Sequence, residues 1–330
     1  MSEQPVIEAR ALTVSVPGRG GLPFVSRPTL DILVGVSLAI HPGEIVCMVG
    51  ESGSGKSTFG RTLVGLMTPA SGDILLDGVR LPDYSKRSFT RLREAAALLF
   101  QDPVTSFDPR QRIKSIIAEP RRIAGKGETS SDAIAELAGK TGLVRALLSR
   151  FPHGLSGGQA RRAAVARALS VVPKVIIADE PTAGLDLSVQ AGVLNLFLDI
   201  RDEYRTAFLI ITHNLAVARH VSNRVAILYL GRIVEAGPTA DIFRAPRHPY
   251  TAALLASEPV PDPRKRRTAP PVIGEVPSLA HRPDGCEFHP RCPFARERCR
   301  TDAPGETMIS ADHTIRCHYP LDAQRAERVA

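Results

Sequence analysis

The segment Gly50-Glu-Ser-Gly-Ser-Gly-Lys-Ser57 constrains this chain more than any other. It has the form G-x-x-x-x-G-K-[ST] and lies between a short apolar run, residues 45–49, and a helical pattern over 56–67, which is the setting a phosphate-binding loop requires. Gly50, Gly53 and Gly55 let the backbone curl so that successive N–H groups point inward. The helix that follows aims its positive end at the same anion. Glu51, Ser52, Ser54 and Thr58 complete the predicted cradle. Lys56 is expected to reach the β- and γ-phosphates, and the Ser57 hydroxyl to ligate Mg²⁺.

The elements around this loop alternate in a way that fixes the fold class. Strand patterns fall at 6–16, 33–40, 45–49, 73–80, 97–100, 174–178 and 207–212, with helices at 56–67, after Gly158, along Val189 to Ile200, and at 214–221. A hairpin is expected over 224–236 around Leu230-Gly231-Arg232. Strands alternating with helices predict an α/β fold with a mainly parallel core sheet. Residues 102–155 read as a helical insert, with Ile113, Ile116 and Ile117 at helical spacing and Ser131-Asp132 as a helix start.

A second acidic element sits downstream. Val175-Ile-Ile-Ala-Asp179-Glu180 is an apolar strand ending in two carboxylates. Asp179 is placed to hold Mg²⁺ and Glu180 to polarise an attacking water.

Composition removes several alternatives. The 330 residues carry a formal charge of +8, yet only 5% are aromatic and none is Trp, which argues against a stacking platform for single-stranded nucleic acid. No apolar run approaches the ~20 residues that span a bilayer. The first residues lack a basic region followed by an apolar core, so no secretory signal is expected and the chain is expected in the cytoplasm.

Leu155-Ser-Gly-Gly-Gln159 narrows the reading further. With it, the chain resembles the ATP-binding cassette (ABC) family, whose signature pentapeptide this is. Gln101 matches the family's Q-loop, Gly184-Leu185-Asp186 its D-loop and His213 its switch histidine, all in the expected order across residues 6–245. Ser156 is suited to cap a helix beginning near Gly157. The resemblance implies that Leu155, Ser156, Gly157, Gly158 and Gln159 cover the γ-phosphate held by a second subunit. It also implies that Asp186 crosses the dimer interface, that Gln101 contacts Mg²⁺ and water, and that His213 bonds the γ-phosphate. Where the family places an aromatic residue against adenine, this chain has Val16, with Phe24 as a substitute from the neighbouring loop.

Phe100-Gln-Asp-Pro103, Ser106-Phe-Asp-Pro-Arg110 and His248-Pro-Tyr-Thr-Ala-Ala-Leu-Leu are similar to the peptide and nickel importer ATPases. So is the tail around Gly285-Cys-Glu-Phe-His-Pro-Arg-Cys. The implied architecture is a P-loop NTPase cassette over 1–245, with a helical subdomain at 102–155 and an antiparallel β part. A small Cys-containing extension follows over 246–330, its Arg264-Lys265-Arg266-Arg267 run reading as linker. The implied partners are a second ATPase subunit, identical or related, two membrane permeases and, indirectly, an extracytoplasmic solute-binding protein. The chain would then sit peripherally on the cytoplasmic face of the inner membrane, powering import of peptides or similar solutes. A soluble ABC ATPase acting on nucleic acid or ribosomes is the rival; the single P-loop and the short interval from Gln101 to Leu155 disfavour it. An exporter subunit is disfavoured by the tail.

Cys286, Cys292, Cys299 and Cys317 are spaced C-x5-C-x6-C-x17-C. Disulfides do not suit a reducing cytoplasm, and zinc favours closer pairs. Cluster, metal and free thiols stay open on spacing alone; the resemblance implies a [4Fe–4S] cluster in some members. His289, His313 and His318 read as surface residues, and Cys47 as a small core residue.

Overall fold

In chain order the strands are β1 (Ile7–Pro17), β2 (Thr29–Ile40), β3 (Ile45–Val49), β4 (Ser71–Leu76), β5 (Val79–Arg80), β6 (Ala96–Leu99), β7 (Val175–Asp179), β8 (Ala207–Thr212), β9 (Arg224–Tyr229), β10 (Arg232–Pro238), β11 (Thr307–Ser310) and β12 (His313–Ile315). The helices are α1 (Lys56–Leu63), α2 (Lys86–Ala95), α3 (Ile113–Ile123), α4 (Ser131–Lys140), α5 (Gly157–Leu169), α6 (Leu187–Tyr204), α7 (Leu215–Val221), α8 (Thr239–Arg244), α9 (Pro249–Ala256) and α10 (Glu297–Thr301). The structure, a computed structural model, describes residues 3–18, 29–127, 129–257 and 274–322. The Arg264–Arg267 run and Phe24 lie outside the described residues.

Strands β3, β7 and β8 are buried at every position, as parallel strands covered on both faces must be. They belong to an eight-stranded sheet of order β11-β12-β10-β9-β3-β8-β7-β6. Pairing is parallel from β9 through β3, β8 and β7 to β6. It turns antiparallel at β10, β12 and β11. The pleat sorts β3 between two cores. Val46 and Met48 face α1 and a four-stranded antiparallel sheet of order β2-β1-β4-β5. Ile45, Cys47 and Val49 face the opposite core, where α3, α5, α6 and α7 pack. Cys47 is fully buried there, and burial pushes its thiol up to about 12.

The α/β class, the mainly parallel sheet and the 224–236 hairpin stand as expected from the sequence. Three local readings change. The pattern over 73–80 is two strands, β4 and β5, that fold back on each other through Asp77 and Gly78. The first helix ends at Leu63 rather than near 67. Helix α2 was not expected; its Ser85 cap, accepting from the Ser88 N–H, is its clearest local signal.

The C-terminal residues do not form a separate layer. Strand β12 pairs with β10 and extends the main sheet, and Phe288 joins the same core as Tyr229 and Tyr250. His313 is a correction: it is 4% exposed and its Nε2 lies 2.9 Å from a buried Glu235 carboxylate. Among the described residues no helix is long and apolar enough to cross a membrane.

Candidate functional site

Four loops leave the C-terminal ends of β3, β6, β7 and β8 and meet over one cleft of about 770 Å³. This is where open α/β sheets place ligands. The cleft is lined by Ser52, Gly53, Gly55, Lys56, Ser57 and Thr58 from the loop before α1, with Gln101, Glu180 and His213 from the other three. Ile32 and Leu279 add an apolar wall. Residues separated by more than 150 positions thus converge as the motif order predicts.

The phosphate loop has the required strain and tightness. A Cβ at Gly50 would fall 2.1 Å from the Leu228 carbonyl oxygen, so no larger residue fits. Gly55 caps α1 at φ 104°, a conformation only glycine adopts readily. Lys56 is buried, and its ammonium donates to the carbonyls of Gly50 at 2.7 Å and Glu51 at 2.8 Å. Burial lowers its pKa, opposed by the nearby Glu180, Asp179 and Glu51 carboxylates. Gly50, Glu51 and Ser54 shape the loop from behind and do not line the cleft.

The acidic pair splits as its positions on the strand dictate. Asp179, the last residue of β7, is 8% exposed and accepts from the Ser57 hydroxyl at 2.9 Å. Burial raises its pKa, with the Ser57 hydrogen bond acting the other way. These adjoining oxygens fit a hard divalent cation, which takes oxygen ligands. Glu180 turns away from the strand at φ 47°, a sparsely populated conformation for a residue with a side chain. Its carboxylate accepts from Gln101 Nε2 at 3.1 Å and lies 3.0 Å from His213 Nδ1. The three are therefore one hydrogen-bonded unit facing the cleft.

The signature pentapeptide does not reach this cleft on the same chain. Ser156 caps α5 through a reciprocal pair: its hydroxyl accepts from the Gln159 N–H, and Gln159 Oε1 accepts from the Ser156 N–H at 3.0 Å. Ser156 and Gly157 are exposed. Asp186 is exposed too; it caps α6 and accepts from Ser188 Oγ at 2.6 Å and the Val189 N–H at 2.9 Å, which lower its pKa. Beside it Leu187 is 85% exposed. Arg161, which no sequence signal marked, ties α5 to the loop after Glu180 by donating to the carbonyls of Pro181 and Ala183.

Val16, which stands where the family places its adenine-stacking aromatic, does not line the cleft, whereas Ile32 and Leu279 do. Cys286, Cys292, Cys299 and Cys317 do converge on one pocket with His248, but the expected metal or cluster is not supported. Among the described residues no three His, Cys, Asp or Glu side chains are arranged to hold a metal ion. Burial pushes Cys286 up to about 12 and Cys292 and Cys317 up to about 11.

A phosphate loop at the end of β3, an acid pair at the end of β7 two strands away and a capped signature helix define an ATP-binding cassette. The ABC transporter family profile matches residues 33–183, and the oligopeptide/dipeptide transporter C-terminal region matches residues 234–299. The chain is 42% identical over 320 residues to the di/tripeptide transport ATP-binding protein DppF of Pseudomonas aeruginosa, covering 96% of this chain and 98% of that protein. It is 38% identical over 324 residues to the oligopeptide transport ATP-binding protein AppF of Bacillus subtilis, again covering 96% and 98%. Among solved structures, a dimeric ATP-binding cassette in a post-hydrolysis state with ADP and Pi superposes with a TM-score of 0.63 at 26% identity, covering 71% of this chain and 98% of that one. The structure of cbiO1 of Clostridium perfringens, part of the ABC transporter complex cbiONQ, gives 0.61 at 27%, covering 73% and 91%. The chain belongs to the ABC transporter ATP-binding family, in the branch that carries the oligopeptide/dipeptide transporter C-terminal region. It is an ATPase of that family.

Proposed function

We propose that the chain binds MgATP in the cleft and hydrolyses it to power uptake of peptides or similar small solutes through membrane permeases. The observation that carries this reading is the meeting of Lys56, Ser57, Gln101, Glu180 and His213 on one cleft. The loop N–H groups, Lys56 and the α1 N-terminus hold the phosphates. Ser57, Asp179 and Gln101 would hold Mg²⁺, which would supply charge neutralisation at the phosphates. Glu180 accepts the proton of the attacking water, oriented by Gln101, while His213 bonds the γ-phosphate. Ile32 and Leu279 supply the apolar surface against the adenine.

The site is completed by a second cassette. Leu155 to Gln159 lie outside their own chain's cleft, and Ser156, Gly157, Asp186 and Leu187 are exposed together, which suits a surface met by another subunit. The partner's signature helix would cover the γ-phosphate, and hydrolysis would release the two halves. In this reading 1–245 is the ATPase domain, the 102–155 helices pass the motion to two permeases, and 246–330 is the extension. The chain then works at the cytoplasmic face of the membrane, with a solute-binding protein on the other side. Peptide and di/tripeptide transport in the names of its relatives supports this cargo class. Affinity purification from membranes should recover two permease subunits with the chain. Recovery with ribosomes or nucleic acid instead would overturn the assignment.

A further inference from the structure

The C-terminal extension reaches the phosphate loop at Glu51, by the Tyr250 hydroxyl and by the side chain of Arg291. Arg291 closes a short 3₁₀ turn, His289–Arg291, directly after the buried Phe288. Its guanidinium makes a two-pronged pair with Glu51, Nη1 to Oε2 at 2.8 Å and Nη2 to Oε1 at 3.0 Å. The Arg291 side chain is 7% exposed and that of Glu51 26%. Paired, planar donors of this kind fix geometry as well as contributing energy.

Glu51 is the second residue of the phosphate loop, and each of its polar groups is held. Its backbone N–H donates to Tyr250 Oη at 3.1 Å, and its carbonyl accepts from the Lys56 ammonium at 2.8 Å. Its carboxylate is taken by Arg291. Tyr250 is itself fixed in an aromatic cluster, with ring centroids 4.5 Å from Tyr229 and 5.4 Å from Phe288. The extension therefore grips the loop from behind at the residue whose carbonyl also anchors the phosphate-binding lysine. Glu51 does not line the cleft, so whatever this grip does for ATP passes through the loop backbone. The same extension contributes Leu279 to the cleft wall, and Arg282 anchors that segment by donating to the Asp31 carbonyl at 2.9 Å.

We infer that Arg291 is a positioning residue for ATP binding: through Glu51 it holds the phosphate loop and Lys56 in their binding geometry, making the C-terminal extension a working part of the nucleotide site. The inference rests on the cleft being the ATP site. A loop fixed before the ligand arrives loses less freedom on binding, so releasing it weakens affinity.

The test is Mg-AMP-PNP binding to the full-length chain by calorimetry, in a double-mutant cycle of Arg291→Gln and Glu51→Gln. Each single variant should weaken affinity about tenfold, within the range of intramolecular couplings. Together they should weaken it by about the same tenfold rather than a hundredfold, because both break one link. Arg291→Lys, which keeps the charge but loses the fork, should fall between. A hundredfold loss in the double variant would overturn the inference, since it would mean two independent effects. So would unchanged affinity in Glu51→Gln, an outcome readable even if Arg291→Gln fails to fold. No nucleotide binding by the unaltered chain would overturn instead the assignment of the cleft.

Discussion

Glu180→Gln separates the chemistry of the cleft from its architecture. In the native chain one Glu180 oxygen accepts from Gln101 at 3.1 Å and the other meets His213 Nδ1 at 3.0 Å. Glutamine has the same shape. Its oxygen keeps the Gln101 bond, and its amide donates to His213 Nδ1 when the imidazole carries its proton on Nε2. No hydrogen bond is lost and no cavity opens, so fold and nucleotide binding should survive. What disappears is the proton acceptor. General-base catalysis contributes roughly 10²- to 10⁴-fold, which at ~1.36 kcal/mol per decade is about 3 to 5 kcal/mol of barrier. One negative charge near the phosphates is also removed, so ATP affinity should hold or rise a few-fold. The assay pairs steady-state phosphate release with equilibrium ATP binding, and adds size-exclusion chromatography with MgATP. Phosphate release should fall at least a hundredfold while binding persists and a dimer accumulates. Turnover within threefold of the unaltered chain would refute Glu180 as the base. Joint loss of turnover and binding would instead mean that the Gln101–Glu180–His213 unit holds the cleft together.

Three further outcomes follow from contacts in the structure. Ser57→Ala removes the hydroxyl that donates to Asp179, so ATP affinity should lose most of its Mg²⁺ dependence while metal-free affinity changes little; titrations with and without chelator check this. Leu279→Asp places a charge on the apolar wall beside Ile32 and should raise KM for ATP about tenfold with little change in kcat, a split that steady-state kinetics resolves. His248 is buried, and its Nδ1 accepts from the Tyr250 N–H at 3.0 Å, so it folds neutral; burial depresses its pKa to about 4. The unfolded chain then binds the extra proton first, so this residue's contribution is whole above pH ~6.5 and is lost as pH falls toward 4, by on the order of 3 kcal/mol. Urea midpoints from pH 7.5 to 4.5 should show that decline, and His248→Asn, which keeps an oxygen at the α9 cap, should flatten it.

The motifs that were legible in the sequence are those whose chemistry is written in contiguous residues. A phosphate loop needs its glycines, lysine and serine side by side, because one backbone stretch must wrap one anion; Gly50 to Ser57 could be read directly. Strands β3, β7 and β8 were readable because burial on both faces demands unbroken apolar runs. Gln101, Asp179, Glu180 and His213 were legible as strand ends, and a parallel sheet brings such ends to one edge. The residues that escaped act across long sequence separations. Ile32 and Leu279 share the cleft wall although 247 positions separate them, and neither sits in a pattern that distinguishes it from an ordinary apolar residue. Arg161 grips main-chain carbonyls, which leave no residue-type signal at the partner. The cysteines show a different limit: spacing suggests that four thiols can meet, and they do meet in one pocket, but spacing carries nothing about how their side chains are oriented there. The same limit explains why the Ser156 cap was predictable from five contiguous letters whereas its task came only from the family resemblance. A helix end that is satisfied within its own chain, yet exposed and outside its own cleft, carries no local mark of what covers it; under the proposed function that cover is a second cassette, identical or related.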